Sequence, residues 1–502
     1  MARTDRRLSQ RDRTGLAARR LDSLPTTLPC KERTMMRKRR ILVISSVFVL
    51  SCFFGVSYAG DTGLHFTEAN QQASFSKGAL LEDIDHLVDK IETAHADPYR
   101  SVSRKDFLDI VSRLKQRVRT RPQAELSLIE CFYVLQELAT ALQDEHTAIH
   151  FPVESLPQTE LFFPFKIRIL GERMFVSESL GKTTIPEFSE VLEINGVEIR
   201  SIWEKSLKYL NPPLPHAKVN MLERFISTIL TTLFDMHSPW VIRHRSGERV
   251  DKVEAVGIDG EKLFRALFGS PAYREYSIAL SGKEIPVLDI PSFDYGPYEE
   301  YEKFIDGFFS RHQKKEALII DLRRNPGGVG DWGYYMLDHL NDSSYQIIQT
   351  FDSKVSDLFR TSDYRGKAGN NLAGAKDGDY IPSAASRMRT PANKGNKFQG
   401  RVFLLVSHAT DSAGTVTAAI FKHGKMGTVI GQETAGRIKF NSDPVAVKLP
   451  NSGLQAYVPV AIYALPGDHP DRGVIPDLIV DYSIEDLKNH TDKEMETVKD
   501  LI

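Results

Sequence analysis

One segment constrains this chain more than any other: Arg401–Gly436, RVFLLVSHATDSAGTVTAAIFKHGKMGTVIGQETAG. Val402 to Val406 is an apolar, β-branched-rich run of strand length, too short to be a helix. A small polar loop follows, and Ser412-Ala413-Gly414 then opens a helical stretch, Thr415 to His423, that Gly424 ends. The same alternation runs through the second half of the chain. Strands are expected at Ile285–Ile290, Ala317–Leu322, Tyr345–Phe351 and Thr428–Ile430, and helices at Tyr298–His312 and Gly333–Leu340. Strands alternating with helices imply an α/β core with much parallel pairing. At the centre of the segment, Ser412 has two meanings. Serine at the first turn of a helix ordinarily caps it. Behind a buried strand it can instead be a nucleophile whose neighbouring backbone N–H groups hold an oxyanion.

The N-terminal half has a different texture. From Lys77 to Leu142 apolar residues recur every three and four positions, the signature of a small helical domain, expected over 77–150. It ends in Asp144-Glu145-His146-Thr147. A β-rich block is expected over 160–256, with Asn195-Gly196 as its strongest hairpin signal. The remaining α/β core, 257–482, contains a polar segment, 353–400, without sustained periodicity, which has the look of a lid or a surface loop. Residues 483–502 form a C-terminal tail.

Of the 502 residues, the first 40 hold 13 Lys and Arg against 4 Asp and Glu, leaving an acidic body that does not suit a nucleic-acid binder. The basic start has a simpler explanation. Met36–Arg40 is a positive leader, Ile41 to Val49 an apolar run, and Ser57-Tyr58-Ala59 a small-x-small cleavage site. Residues 36–59 are therefore expected to be a secretory signal peptide, with 1–35 an upstream extension. Export across a bacterial inner membrane follows, to the periplasm or beyond. Membrane association arises only if that segment stays uncleaved or Cys52 is lipidated. With Cys30 and Cys52 in the removable part, Cys131 is left alone, so no disulfide framework exists. No zinc spacing, HExxH or P-loop is present, and no metal or cofactor is expected.

Two further stretches carry candidate chemistry. Asp321-Leu322-Arg323-Arg324-Asn325-Pro326-Gly327-Gly328 follows a strongly apolar strand. It is either a tight turn or a place where backbone approaches a ligand closely. His146 is either structural or a base. The Ser412 segment lacks the first glycine of GxSxG, which disfavours an α/β-hydrolase.

Taken in order, DEHT, IPVLDIPSF, ALIIDLRRNPGG, VFLLVSHATDSAGTVTAAI, VIGQETAG and DRGVIPD resemble the tail-specific (C-terminal processing) and tricorn-core family of serine peptidases. The resemblance implies a crotonase/ClpP-like α/β peptidase core, an N-terminal helical domain and a PDZ-like module within 160–256. It implies Ser412 as nucleophile, with an oxyanion hole from the N–H groups of Gly327 or Gly328 and Ala413. The lysine that serves tail-specific members as base is replaced here by Arg437, with Lys439 two residues on, and the glutamine that orients that lysine falls near Asn441. The tricorn-like branch instead uses a histidine, matched by His146, and an acid near Asp471, with Pro470 at the aligned position and Asp468 close by. His146 is the expected base and Lys439 the alternative. The implied function is an exported serine peptidase acting on peptides or unfolded protein tails. The alternative is a non-catalytic peptide- or ligand-binding module on the same scaffold. Oligomeric state is not legible.

Overall fold

A computed structural model describes residues 73–502 apart from 269–272, 383–386, 392–396 and 468–470. The signal segment expected over 36–59, and Asp468 and Pro470, therefore lie outside the described residues. Among the described residues, no helix is long and apolar enough to cross a membrane.

The chain begins with three amphipathic helices, α1 (Lys77–Ala94), α2 (Arg104–Thr120) and α3 (Leu128–Thr140). Serines start all three: Ser76, Ser103 and Ser127 each accept a backbone N–H three residues on, and Ser127 forms a full capping box with Glu130. Their apolar faces, including Leu87, Ile91, Phe107, Phe132 and Leu135, close on one another.

The next block is an antiparallel sheet in chain order: β1 (Phe165–Leu170), β2 (Arg173–Ser179), β3 (Glu190–Ile194), then, after helix α4 (Pro215–Leu233), β4 (Trp240–Ser246) and β5 (Arg249–Ala255). The Asn195-Gly196 turn expected from sequence is present, both residues having positive φ.

The α/β core is built on a six-stranded sheet: β6 (Arg274–Leu280), β7 (Lys283–Asp289), β8 (Ala317–Asp321), β11 (Arg401–Val406), β12 (Thr428–Gly431) and β15 (Leu478–Ile479), in that spatial order. Only β6–β7 is antiparallel; the other pairs are parallel, as strand–helix alternation requires. Helices α5 (Tyr298–His312), α6 (Gly330–Asp338) and α7 (Ala413–His423) supply the crossovers. Strand β8 is buried on both faces at every position, which is why it reads as an unbroken apolar run.

A second sheet was not legible. Strands β9 (Thr350–Lys354) and β10 (Tyr380–Pro382) join the long hairpin β13 (Lys439–Lys448) and β14 (Gln455–Ala464). The hairpin hides because each of its strands contains a proline, a residue that argues against a strand. Pro444 and Pro459 face each other in register, and Asp443 just before takes a positive φ. This sheet also corrects the expectation of a structureless 353–400 insertion. Two strands and a short helix form there because Val355, Phe359 and Ile381 pack on Val460 of β14, borrowing a core the segment lacks by itself. Lys354 Nζ donates to the carbonyls of Glu92 and His95 at the end of α1, tying the insertion to the helical block.

The same hairpin positions the DEHT segment. Ala148 and Ile149 pair with Tyr457 and Ala456 of β14, and His150 N–H donates to Gln455 O at 2.8 Å. A segment from the helical block is thereby laid against the core.

Candidate active site

Two loops leave the carboxyl ends of neighbouring parallel strands, the ordinary location of a site in an open α/β sheet. After β11, Thr410 Oγ1 donates to Leu322 O at 2.7 Å, and Asp411 N–H donates to Asn325 O at 3.0 Å. Asn325, fully buried, also donates from Nδ2 to Ile290 O and accepts Gly327 N–H at 2.8 Å on Oδ1. The glycine loop and the serine loop are stitched into one unit.

At the start of α7, Ser412 has φ 45° and ψ −120°, and its side chain makes no capping bond. The ordinary meaning of a serine here, a helix cap, is absent. Its own N–H donates to Asp411 Oδ1 at 2.7 Å, so Asp411 supports the turn instead. A non-glycine residue in this region of backbone space costs on the order of 1–3 kcal/mol and persists only where its surroundings enforce it. Gly327 and Gly328, with φ of 112° and 125°, hold the opposite wall. Gly328 lies against Phe293: the Phe293 N–H donates to Gly327 O and Val329 N–H to Phe293 O.

The expected oxyanion donors divide. Gly327 N–H is committed to Asn325, whereas among the described residues no hydrogen bond leaves the N–H of Gly328 or Ala413.

His146 is buried, its ring stacked on Phe440 with centroids 5.6 Å apart, and its Nδ1 makes no hydrogen bond. It stands near enough to Asp411 for its charge to act on that carboxyl. The turn carrying it is held by a network that no local sequence signal announces. His95, from the end of α1, accepts Asp97 N–H on Nδ1 and meets Asp144 and Thr147 through Nε2, at 3.1 and 2.9 Å. Burial raises the Asp144 carboxyl, but the bond and charge of His95, with His146 and Thr147, outweigh it and leave it below the usual range.

Glu145 is buried as well. Burial and the neighbouring Asp411 and Asp144 push its carboxyl well above the usual range, against the opposing charges of Arg437 and Arg100. Asp411 is likewise raised by burial, offset in part by the Ser412 N–H and by His146 and Arg224. Burial thus makes a negative charge on either acid costly.

Lys439 and Asn441 line a cleft with Arg437, Arg100, Asp97 and Glu145. Arg437 donates to Ser101 Oγ at 3.0 Å. Asp471 is not brought to His146: it bonds Arg100 at 2.8 Å, with three-quarters of its side chain exposed. A second cleft, of mixed polarity, opens beside Asp411 and Pro326, walled by Ala217, Asn220, Met221, Arg224 and Phe225 of α4. Among the described residues, no group of three or more His, Cys, Asp or Glu side chains is placed to hold a metal.

The site is thus a strained serine at a strand-to-helix turn, packed against a glycine loop in an α/β core. Residues 284–480 match Peptidase family S41. The match begins well after His146. A tail-specific protease from Haemophilus influenzae (strain ATCC 51907 / DSM 11121 / KW20 / Rd) is 27% identical over 162 residues, covering 32% of this chain and 18% of that protein. The chain thus spans less than a fifth of that relative. Among solved structures, mature CPAF complexed with lactacystin is similar with a TM-score of 0.59 at 16% identity, over 85% of this chain and 98% of that one. A second structure of mature CPAF gives a TM-score of 0.58 at 16% identity, over 85% of this chain and 97% of that one. At such identity the likeness shows the fold, which agrees with the α/β architecture described above.

Proposed function

We propose that this chain is an exported serine peptidase that cleaves peptides or the unfolded tails of proteins through an acyl-enzyme on Ser412. The observation that carries the reading is the Ser412 backbone: the residue accepts a strained conformation and gives up its capping bond, which turns a structural role into an unlikely use of a serine. In this reading Ser412 Oγ attacks the scissile carbonyl, and His146 takes the hydroxyl proton and later delivers it to the leaving amine. Gly328 and Ala413 N–H hold the oxyanion, helped by the N-terminus of α7. Each such donor is worth about 3–4 kcal/mol in the transition state. Gly327 acts by close approach, its N–H being spent on Asn325.

His146 is preferred to Lys439 as base because its charge acts on Asp411, the residue that holds the Ser412 turn. The cleft of mixed polarity beside Asp411 receives a substrate side chain. The sheet β1–β5 is the PDZ-like module, and its edge strand β5 captures an extended peptide by strand addition. Export rests on the 36–59 segment of the sequence. Hydrolysis of an unstructured peptide by wild type, Ser412→Ala, His146→Ala and Lys439→Ala tests the assignment. Loss in the first two variants with retention in the third supports it. Retention in Ser412→Ala rules it out, and loss in Lys439→Ala with retention in His146→Ala transfers the base to Lys439.

A further inference from the structure

An imidazole that takes a proton at one ring nitrogen must carry a hydrogen on the other and direct it at an acceptor. In His146, Nδ1 is buried and has no hydrogen bond. Asp471, the acid expected from sequence to fill this role, is turned outward onto Arg100. The carboxylate that faces Nδ1 is that of the preceding residue. Glu145 Oε1 lies 3.9 Å from His146 Nδ1, and the two side chains are equally buried, 8% and 7% exposed. That gap is about 1 Å longer than a hydrogen bond, within reach of a small side-chain rotation.

Building on the serine-peptidase reading above, we propose that Glu145 is the positioning residue for His146, in the role expected of Asp471. The proton balance is closed. The Ser412 hydroxyl proton passes to the distal nitrogen of His146 as the Oγ–carbon bond forms, and the carbonyl electron pair moves onto the oxygen. The imidazolium then directs Nδ1–H at Glu145, which accepts a hydrogen bond and neither gains nor loses a proton. Acyl transfer to water reverses each movement.

The surroundings of Glu145 suit this task. Asp144 and His146 flank it on its own segment, Asp411 faces it from the serine loop, Arg437 and Lys439 from the approach to and start of β13, and Arg100 and Asp97 from the loop after α1. Burial, Asp411 and Asp144 penalise negative charge there, and the two arginines offset part of that penalty. A carboxylate held at such a cost gains most when a cation forms beside it, which happens only as His146 is protonated.

The test is the pH dependence of peptide hydrolysis by the full chain as wild type, Glu145→Gln, Asp471→Asn, Ser412→Ala and His146→Ala. Glu145→Gln is expected to lower kcat by roughly a hundredfold or more, with KM within about threefold. It is also expected to move the acidic limb of the profile to lower pH, since the imidazolium loses its carboxylate. Asp471→Asn is expected to stay within about threefold of wild type. If Glu145→Gln keeps its rate and its acidic limb while Ser412→Ala and His146→Ala are inactive, only this inference fails. If Ser412→Ala remains active, the peptidase reading fails and this inference with it. A second measurement covers a Glu145→Gln variant that does not fold. Nitrogen NMR of histidine-labelled wild type, with His146 assigned by its absence in His146→Ala, is expected to show the neutral ring protonated at Nδ1. The opposite tautomer overturns the proposal.

Discussion

A methyl group on the α-carbon of Gly327 would stand 2.7 Å from Cβ of Ser412 and 3.0 Å from the backbone nitrogen of Ala413. The glycine loop and the serine turn therefore meet backbone to backbone, with no space for a side chain between them. This closeness, more than any single polar contact, makes the two loops one site.

Gly327→Ala meets both that collision and a φ of 112°, which an alanine adopts only under strain. Stability is expected to fall by at least about 1–3 kcal/mol, with loss of activity. Gly366→Ala, where nothing lies within 4 Å, serves as the control and should melt like wild type. Thermal unfolding of both variants checks the difference.

Asn325→Ala removes the acceptor of Gly327 N–H and the donor to Ile290 O in a fully buried setting. Leaving such groups unsatisfied costs about 1–3 kcal/mol each. Urea unfolding should show that loss, and kcat should drop because the glycine loop beside Ser412 loosens.

Asp144 has a depressed carboxyl, so its ionised form stabilises the fold. That stability is fully present above the unfolded value of about 3.9 and is lost as pH falls through the lower folded value. Asp144→Asn is expected to be destabilised by roughly 1–3 kcal/mol at neutral pH, with the gap closing below about pH 4. Melting curves across pH 3–7 give the comparison.

Glu145 has the opposite sign. Its raised carboxyl favours the fold in protonated form, a contribution present below the unfolded value and lost as pH rises through the folded one. Glu145→Gln, which cannot ionise, should therefore be more stable than wild type at pH 8 by about 0.5–2 kcal/mol, with the advantage shrinking toward pH 4. A variant that is at once more stable and less active marks a charge kept for function.

Much of the core was legible. Strands β8 and β11 read as apolar runs because both faces are buried, and the helices between them follow from period and breakers. The Asn195-Gly196 turn was equally plain. The β13–β14 hairpin was not, since Pro444 and Pro459, which face each other in register, disguise its two strands. The ordered insertion was hidden because its apolar side chains complete a core made elsewhere, on Val460. In the site, Ser412 and the two glycines stood in a local pattern. His95 did not, because it reaches Asp144 and Thr147 from about fifty positions upstream, and tertiary placement leaves no trace in spacing. Asp471 sits close in sequence to the expected acid position, yet its side chain is drawn outward by Arg100.

The central claim is that Ser412 is an activated nucleophile, and its most direct test is mass-spectrometric mapping of the adduct formed with a fluorophosphonate at neutral pH. One adduct per chain, located on Ser412 and abolished in Ser412→Ala, is the predicted result. A folded wild-type protein that forms no adduct, or forms it equally in Ser412→Ala, would contradict the account.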